Sequence, residues 1–147
     1  MNEDMVFKRF FIISRLHFHI VHDELEKHDI HPGQPPLLML VAKNEGITQN
    51  LIARKLNVSP ATVAIMLRRM EKSGLIQREQ DESDRRFQRV YLTDKGSHMA
   101  EILKSKMEKV EKIAMDGFSS SEKDQFLKFL DRIIENLKKH TKEWCHD

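Results

Sequence analysis

The residues from Thr48 to Leu92 constrain the fold of this chain more than any other stretch. Thr48 can cap a helix whose apolar positions recur at helical spacing, and Ser59-Pro60 can begin a second helix soon after the first one ends. Asn57 lies between them, where it tolerates the left-handed conformation that a sharp turn needs. The pattern therefore predicts a helix-turn-helix. The residues of its second helix expected to face inward are Val63, Met66 or Leu67, and Met70.

A predicted hairpin follows the second helix. Gly74 ends that helix, and the runs Leu75 to Gln80 and Phe87 to Leu92 are typical of two short strands. The residues between them, DESDRR, are too highly charged for a protein core. Such a tip suits a wing that lies along a DNA backbone and inserts an arginine into the minor groove. We expect one arginine to pair with Asp84 and the other, Arg85, to reach the groove.

The outer face of the second helix carries small and apolar side chains next to cations. Small apolar side chains can touch thymine methyl groups, and Arg68 can reach a guanine edge or a phosphate. The residues predicted to contact DNA are Thr48, Ser59, Pro60, Ala61, Thr62, Ala64, Ile65, Arg68, Arg69, Asp84, Arg85 and Arg86. In one alternative, the helix is an ordinary amphipathic helix and the tip is a solvated turn, with Asp81 and Asp84 as surface ion-pair partners. In another, the helix contacts a protein.

The distribution of charge favours DNA over a protein partner. The formal net charge of the chain is only +2. The segment 54–95 carries ten Lys or Arg against six Asp or Glu, so it is +4 and the remainder is −2. Positive charge concentrated on one predicted unit is the pattern expected of a nucleic-acid partner.

The run that begins GITQN and ends LTDKG resembles the winged helix-turn-helix of the MarR family of bacterial transcriptional regulators. The most specific part of the resemblance is the wing signature Asp81-x-x-Asp84-Arg85-Arg86, followed by Val90-x-Leu92-Thr93-x-x-Gly96. It implies a short strand at Ile47 beside the wing, and small aromatic or amphiphilic effectors that release the DNA. Ile65 departs from the family pattern, since many relatives carry an arginine there. We therefore expect direct readout that is weaker, or shifted to Thr62 and Arg68.

Long amphipathic helices flank the winged unit. Their apolar residues recur at helical spacing over residues 4–27, 93–116 and 119–139, and a shorter helix predicted over residues 35–43 lies within the winged unit. The first helix and the last two carry more apolar surface than one chain can bury, so we expect them to pack together and to form a homodimer. The residues expected at this contact are Phe10, Phe11, Leu130, Ile134 and Leu137. The predicted fold class is mainly α with a small β-hairpin wing: residues 33–96 form the winged DNA-binding domain, and residues 1–32 and 97–147 form a helical dimerisation region.

The composition is that of a one-domain protein with a modest core. The chain has 147 residues, of which 39% are hydrophobic. No apolar run reaches membrane-spanning length, and the N-terminal residues lack a secretory cleavage pattern. The single cysteine, Cys145, excludes an intramolecular disulfide and favours a reducing compartment. We expect a cytoplasmic protein with no membrane partner.

Eight histidines raise the alternative of a zinc-responsive regulator with the same fold. Zinc sites need several His or Cys ligands that converge on one point. The chain has no HxxxH or CxxC pair, so we predict neither a metal site nor a cofactor. The family resemblance also disfavours peroxide sensing by a thiol, because thiol-sensing relatives carry their cysteine on the first helix, whereas Cys145 lies near the C-terminal end. The residues considered as ligands are His17, His19, His22, His28, His31, His140, Cys145 and His146.

No catalytic motif stands out, and we do not predict an enzyme. The chain lacks a glycine-rich phosphate loop, a GxSxG motif and a carboxylate pair in an apolar setting. The sequence predicts a homodimeric transcriptional regulator, a ligand-responsive repressor that binds a pseudo-palindromic operator in double-stranded DNA. Polar residues on an otherwise apolar helix face place a candidate effector cleft at Arg15, His19 and Met39, with parts of the helix after Gly96.

Overall fold

The computed structural model describes residues 5–31 and 33–141. In this part of the chain the predicted mainly α fold with a small β-hairpin wing is confirmed. The elements are α1 Val6–Lys27, α2 Gln34–Lys43, β1 Ile47–Thr48, α3 Gln49–Leu56, α4 Pro60–Lys72, β2 Ile76–Gln80, β3 Gln88–Leu92, α5 Asp94–Ala114 and α6 Ser120–Lys138. None of the described helices is long and apolar enough to cross a membrane.

Helices α3 and α4 form the predicted helix-turn-helix. The Thr48 hydroxyl accepts the N–H of Leu51 at 3.4 Å and caps α3. Asn57 ends α3 in the left-handed conformation, with φ of 52° and ψ of 47°. Ser59 then caps α4, whose first helical residue is Pro60. The turn is therefore specified by local residues, as their spacing predicted.

Strands β2 and β3 form the wing hairpin, and β1 extends it into a three-stranded antiparallel sheet with β3 in the centre. β2 pairs with β3 along all five of its residues. β1 has only two residues, and Ile47 pairs with Val90. The short strand at Ile47 that the family resemblance implied is confirmed.

The hydrophobic core lies within the winged unit and extends along α5. Helices α2 to α4, the sheet and α5 all contribute buried side chains, whereas α1 contributes only toward its C-terminal end. Leu67 is fully buried and Met66 partly buried, which decides the choice that the sequence left open. Burying a side chain of this size stabilises the fold by about 1.5–3 kcal/mol. The largest fully buried side chains are Leu37, Leu38, Val41, Ile52, Val63, Leu67, Met70, Leu75, Ile76, Val90 and Leu103.

The start of α5 packs directly on the backbone that follows α4. Thr93 caps α5 by accepting the N–H of Gly96 at 3.0 Å, and its hydroxyl donates to the Gly74 carbonyl at 2.5 Å. The N–H of Thr93 donates to the Leu75 carbonyl at 3.1 Å. A Cβ atom on Gly96 would lie 1.9 Å from that same carbonyl oxygen. The LTDKG segment is therefore a structural joint between the helix-turn-helix and α5.

Helices α1 and α6 leave most of their apolar side chains uncovered. α1 packs against α5 and buries Val21 and Leu25. Every residue from 11 to 20 is exposed, and Phe11 has 64% of its surface exposed. α6 has no buried residue, and its Leu137 is 48% exposed. Within the described part of one chain α6 therefore buries no side chain, and its expected packing against α1 stays a prediction.

Gly96→Ala should destabilise the protein by on the order of 2 kcal/mol, because the added methyl group cannot avoid the Leu75 carbonyl unless the backbone moves. Gly33→Ala is the matched control, since nothing lies within 4 Å of a Cβ atom at that position. Chemical denaturation of the two variants gives the free energy of unfolding of each. Equal stability would mean that α5 does not need this close approach.

Candidate nucleic-acid interface

The outer face of α4 is open to solvent. α4 buries Val63, Leu67 and Met70 toward the core. The predicted DNA-contacting residues of the helix lie on its other side, where all are exposed except Ala64, which is half-buried. Ile65 has 45% of its surface exposed. The residues of this outer face are Pro60, Ala61, Thr62, Ala64, Ile65, Arg68 and Arg69.

The first turn of α4 holds two hydroxyl groups in place. Ser59 accepts the N–H of Thr62 at 3.2 Å. The hydroxyl oxygens of the two residues lie 2.8 Å apart, so one donates to the other. The exposed Thr62 side chain is therefore oriented by its neighbour before any ligand arrives. An oriented hydroxyl at the start of such a helix can donate to a phosphate or meet a base edge.

Several cations around α4 have no anionic partner in the part of the chain that the structure describes. Arg78 of β2 donates to Glu71 at 2.6 and 3.1 Å, which ties the wing to the C-terminal part of α4. The side chains of Arg68 and Arg69 make no hydrogen bond or ion pair with the described residues, and the same holds for Arg54 of α3. Their charge therefore remains available to phosphate groups.

The tip of the wing separates its two arginines. Arg86 donates to both carboxylate oxygens of Asp84, at 2.7 Å from Nη2 and at 3.0 and 3.2 Å from Nε. This guanidinium holds the pKa of Asp84 below its ordinary value. Arg85 is exposed and makes no side-chain hydrogen bond or ion pair with the described residues. The predicted pairing of one arginine with Asp84 is confirmed, and Arg85 is the outward one.

Asp81 is an internal anchor of the wing and not the surface ion-pair partner that one alternative assigned to it. Only 7% of its surface is exposed. Its Oδ1 accepts the N–H of Ser83 at 2.8 Å, the hydroxyl of Ser83 at 2.5 Å and the N–H of Asp84 at 3.1 Å. Its Oδ2 accepts from Arg89 of β3. The Ser83 hydrogen bonds, together with Arg89 and the Asp84 N–H, hold the pKa of Asp81 well below its ordinary value.

Arg89 connects the wing to the loop between α2 and β1. In addition to Asp81, its guanidinium donates to the Gly46 carbonyl at 2.8 Å. Sequence reasoning missed this residue. The register of the hairpin was the signal that would have found it. Gln80 pairs with Gln88, so Asp81 and Arg89 each lie one residue from that pair, on the same face of the hairpin and diagonally across from each other.

Thr48 lies beside the wing. A small cleft of about 150 Å³ is lined by Thr48, Gln49, Asn50, Arg86, Phe87 and Gln88. The cleft brings the first turn of α3 next to the charged end of the hairpin. Polar groups and a helix N-terminus in one cleft favour an anion such as a DNA phosphate.

The structure does not bring the three predicted effector residues together within one chain. A cavity of about 310 Å³ lies between α2, the end of β3 and α5, and Met39 lines it together with residues after Gly96. Arg15 and His19 are not among its lining residues, because they lie on the exposed length of α1. The part of Arg15 and His19 in an effector site therefore stays a prediction. The lining residues are Met39, Ala42, Lys43, Glu45, Leu92, Ser97, Ala100, Glu101 and Lys104.

The histidines do not converge in the part of the chain that the structure describes. Among residues 5–31 and 33–141, no three His, Cys, Asp or Glu side chains are placed to share a metal ion. His22 pairs instead with Glu26 on the same helix at 3.0 Å and stacks on Phe18. Cys145 and His146 lie outside the described residues.

This chain is similar to known transcriptional regulators. The model of the MarR family matches residues 30–87. The HTH-type transcriptional repressor YetL of Bacillus subtilis is 27% identical over 135 residues, which are 90% of this chain and 80% of YetL. The crystal structure of MarR is 30% identical, covers 98% of this chain and 99% of that chain, and has a TM-score of 0.74. This chain belongs to the MarR family.

A MarR-family structure with bound DNA has the same fold. The crystal structure of the S. aureus MepR–DNA complex is 28% identical to this chain, with a TM-score of 0.83. The match covers 92% of this chain and 99% of that chain. The protein is therefore a DNA-binding transcriptional regulator of the MarR family, and its winged helix-turn-helix comprises α2 to α4 and the wing.

Asp81→Asn should destabilise this MarR-family protein at neutral pH, and the difference from wild type should shrink in acid. The pKa of Asp81 is lowered in the folded state from an ordinary value of 3.8. The ionised carboxylate therefore stabilises the fold fully above about pH 4, and this contribution is lost as the pH falls further. Thermal unfolding of both proteins from pH 7 to pH 2.5 measures the effect.

Glu82→Gln is the control, because Glu82 is an exposed neighbouring carboxylate with no hydrogen bond or ion pair to the described residues. Its melting temperature should follow that of the wild type at every pH. A difference between Asp81→Asn and wild type that stays constant down to pH 2.5 would contradict the assigned role of the charge.

Proposed function

We propose that this protein is a homodimeric repressor that binds a pseudo-palindromic operator, with one winged domain on each half-site. The arrangement of the wing tip carries the proposal most directly. Asp84 orients one arginine and leaves Arg85 exposed and unpaired among the described residues, beside a helix whose outer face is also exposed. Such a division of roles suits two contacts to adjacent grooves of one duplex.

The outer face of α4 is proposed to lie in the major groove. Ala61, Ala64 and Ile65 offer apolar contacts to thymine methyl groups, and Arg68 offers donors to a guanine edge or a phosphate. Thr62 presents a hydroxyl that Ser59 has already oriented. This set of side chains favours operators that place thymines opposite the apolar residues.

The wing and the start of α3 are proposed to contact the DNA backbone and the minor groove. Arg85 can enter the minor groove because its guanidinium is exposed and has no partner among the described residues. Thr48 and Arg86 share the small cleft beside the wing, where a phosphate would meet both the α3 N-terminus and a cation. These contacts would set the position of α4 on the duplex without reading sequence.

Dimer formation is supported by the uncovered apolar faces of α1 and α6. The exposed large hydrophobic side chains include Phe11, Leu16, Ile134 and Leu137. An apolar surface of this extent is rarely left open to water in a stable monomer. A two-fold dimer would cover it and would place two recognition helices on a pseudo-palindrome.

The proposed function includes repression of a promoter and release of that repression by a small-molecule effector. A dimer that occupies a promoter operator blocks the polymerase, and the relative YetL is named as a repressor. The cavity that contains Met39 is the proposed site for a small aromatic or amphiphilic effector, since its volume and its mixture of apolar and charged walls suit such a molecule. An effector releases DNA only if it favours a form whose recognition helices no longer fit both half-sites.

Ile134→Glu should dissociate the dimer while leaving each chain folded. The new carboxylate would be buried without a partner in the dimer, at a cost of on the order of 3 kcal/mol, but it would remain in water in the monomer. Analytical ultracentrifugation measures the dimer dissociation constant, and circular dichroism checks helix content. Lys128→Glu is the control, since it places the same group on the polar face of α6. A dimer that survives Ile134→Glu would exclude this face of α6 from the interface.

Arg85→Ala should weaken operator binding by on the order of 1–3 kcal/mol without changing stability, because an exposed wing tip contributes little to folding. It should also flatten the dependence of log affinity on log salt, since fewer counterions are released when one cationic contact is lost. Asp84→Ala should weaken binding as well, although it removes a negative charge, because Arg86 loses the group that orients it. Fluorescence anisotropy across a salt series measures all three proteins.

Charge counting alone predicts that Asp84→Ala binds operator more tightly, because the variant removes a negative charge. The two variants together therefore distinguish a wing that contacts DNA from a solvated turn. Glu82→Ala is the matched control, because it removes a charge from the same turn without removing a hydrogen bond to the described residues. Unchanged affinity for Arg85→Ala, together with tighter binding by Asp84→Ala, would mean that the wing is only a solvated turn.

A further inference from the structure

Glu45 joins the loop between α2 and β1 to the far end of β3. Its Oε2 accepts the N–H of Leu92 at 3.2 Å. β1 pairs with β3 only at Val90 and Arg89, so the N–H of Leu92 lies past the end of that short strand. The carboxylate therefore takes the place that a backbone carbonyl would hold if β1 were longer.

The same loop holds β3 at a second point, nearer the tip of the wing. The Gly46 carbonyl accepts from Arg89 at 2.8 Å, and Arg89 also donates to Asp81. Asp81 in turn accepts the backbone N–H groups that shape the wing turn. Residues 45 and 46 thus hold the central strand at both of its ends, and the position of the wing depends on this loop.

Glu45 also lines the cavity between α2 and α5. Leu92, whose N–H it accepts, is a neighbouring wall residue. The other ionisable side chains of the lining, Lys43, Glu101 and Lys104, make no hydrogen bond or ion pair with the described residues. A group that enters the cavity therefore meets one carboxylate that is already engaged in holding the wing.

We propose that Glu45 transmits occupancy of this cavity to the wing, and that the ligand able to use it is a small aromatic cation with N–H donors. Such a ligand engages the Glu45 carboxylate through two parallel hydrogen bonds and draws it away from Leu92, while its ring lies against Met39 and Ala100. A volume of about 310 Å³ accommodates one or two rings. This inference rests on the proposed function, because a loosened wing releases DNA only if the wing contacts DNA.

Hydrogen exchange on the full protein without DNA tests the link itself. In Glu45→Ala, the amide of Leu92 and its neighbours in β3 should exchange about 5-fold faster, the factor that one lost hydrogen bond of ~1 kcal/mol gives. Operator affinity should fall by a similar factor. Glu101→Ala removes a carboxylate from the same cavity that has no partner among the described residues, and it should leave both quantities unchanged.

Three probes of equal size test the ligand class: benzamidinium, neutral benzamide and anionic benzoate. Benzamidinium should raise exchange at Leu92 and weaken operator binding in the wild type, and the other two should do neither. Glu45→Gln should bind operator nearly as the wild type does, because its amide oxygen still accepts the Leu92 N–H, but it should lose the response to benzamidinium.

Each outcome bears on a separate part of the inference. Unchanged β3 exchange in Glu45→Ala would overturn the link, whether or not the protein binds an operator. Faster exchange in Glu45→Ala without any loss of operator affinity would leave the link intact and contradict the proposed contact of the wing with DNA. If benzamide or benzoate acts as benzamidinium does, or if benzamidinium leaves Leu92 protected, the assigned ligand class is wrong.

Discussion

The orientation of the wing depends on one guanidinium. An isolated two-stranded hairpin is only marginally stable in water, so the wing needs contacts beyond its own ladder. Arg89 supplies them at the centre of the sheet, where it joins the buried Asp81 at the turn to the Gly46 carbonyl of the α2–β1 loop. The direction in which Arg85 points is thus set by a residue that need not contact DNA.

The root of the hairpin is fixed by different chemistry. Thr93 bonds to the backbone at Gly74 and Leu75, and the missing side chain of Gly96 lets α5 approach that backbone closely. Arg78 adds an ion pair to α4. The wing is therefore bonded to α4 and to the start of α5 at its root and anchored by Asp81 at its tip.

Local signals explain why the sequence predicted the helix-turn-helix and the tip so well. The caps at Thr48 and Ser59, the left-handed Asn57 and the Asp84–Arg86 pair all act over a few residues. The sequence did not predict the role of Arg89, because one of its partners, Asp81, lies across the hairpin and the other, Gly46, is 43 residues away in the chain. Both contacts depend on the register of the strands. Helical spacing identified the apolar faces of α1 and α6, but periodicity does not show how far along a helix its neighbours reach. For that reason the α1 residues that the sequence grouped with Met39 do not line the cavity that Met39 lines in one chain.

Because Ile65 is apolar, different side chains of such an interface would provide its affinity for DNA and its preference for one sequence. On the proposed docking, the centre of the recognition helix presents apolar groups, and cations lie at its edge and at the wing tip. Phosphate contacts release counterions and depend steeply on salt, whereas contacts to thymine methyl groups do not. Raising the salt concentration should therefore reduce affinity for all DNA more than it reduces the preference for the operator. Because the cations at the wing depend on Arg89 and the α2–β1 loop for their position, the salt-dependent part of binding is also the part that the cavity beside Glu45 is placed to control.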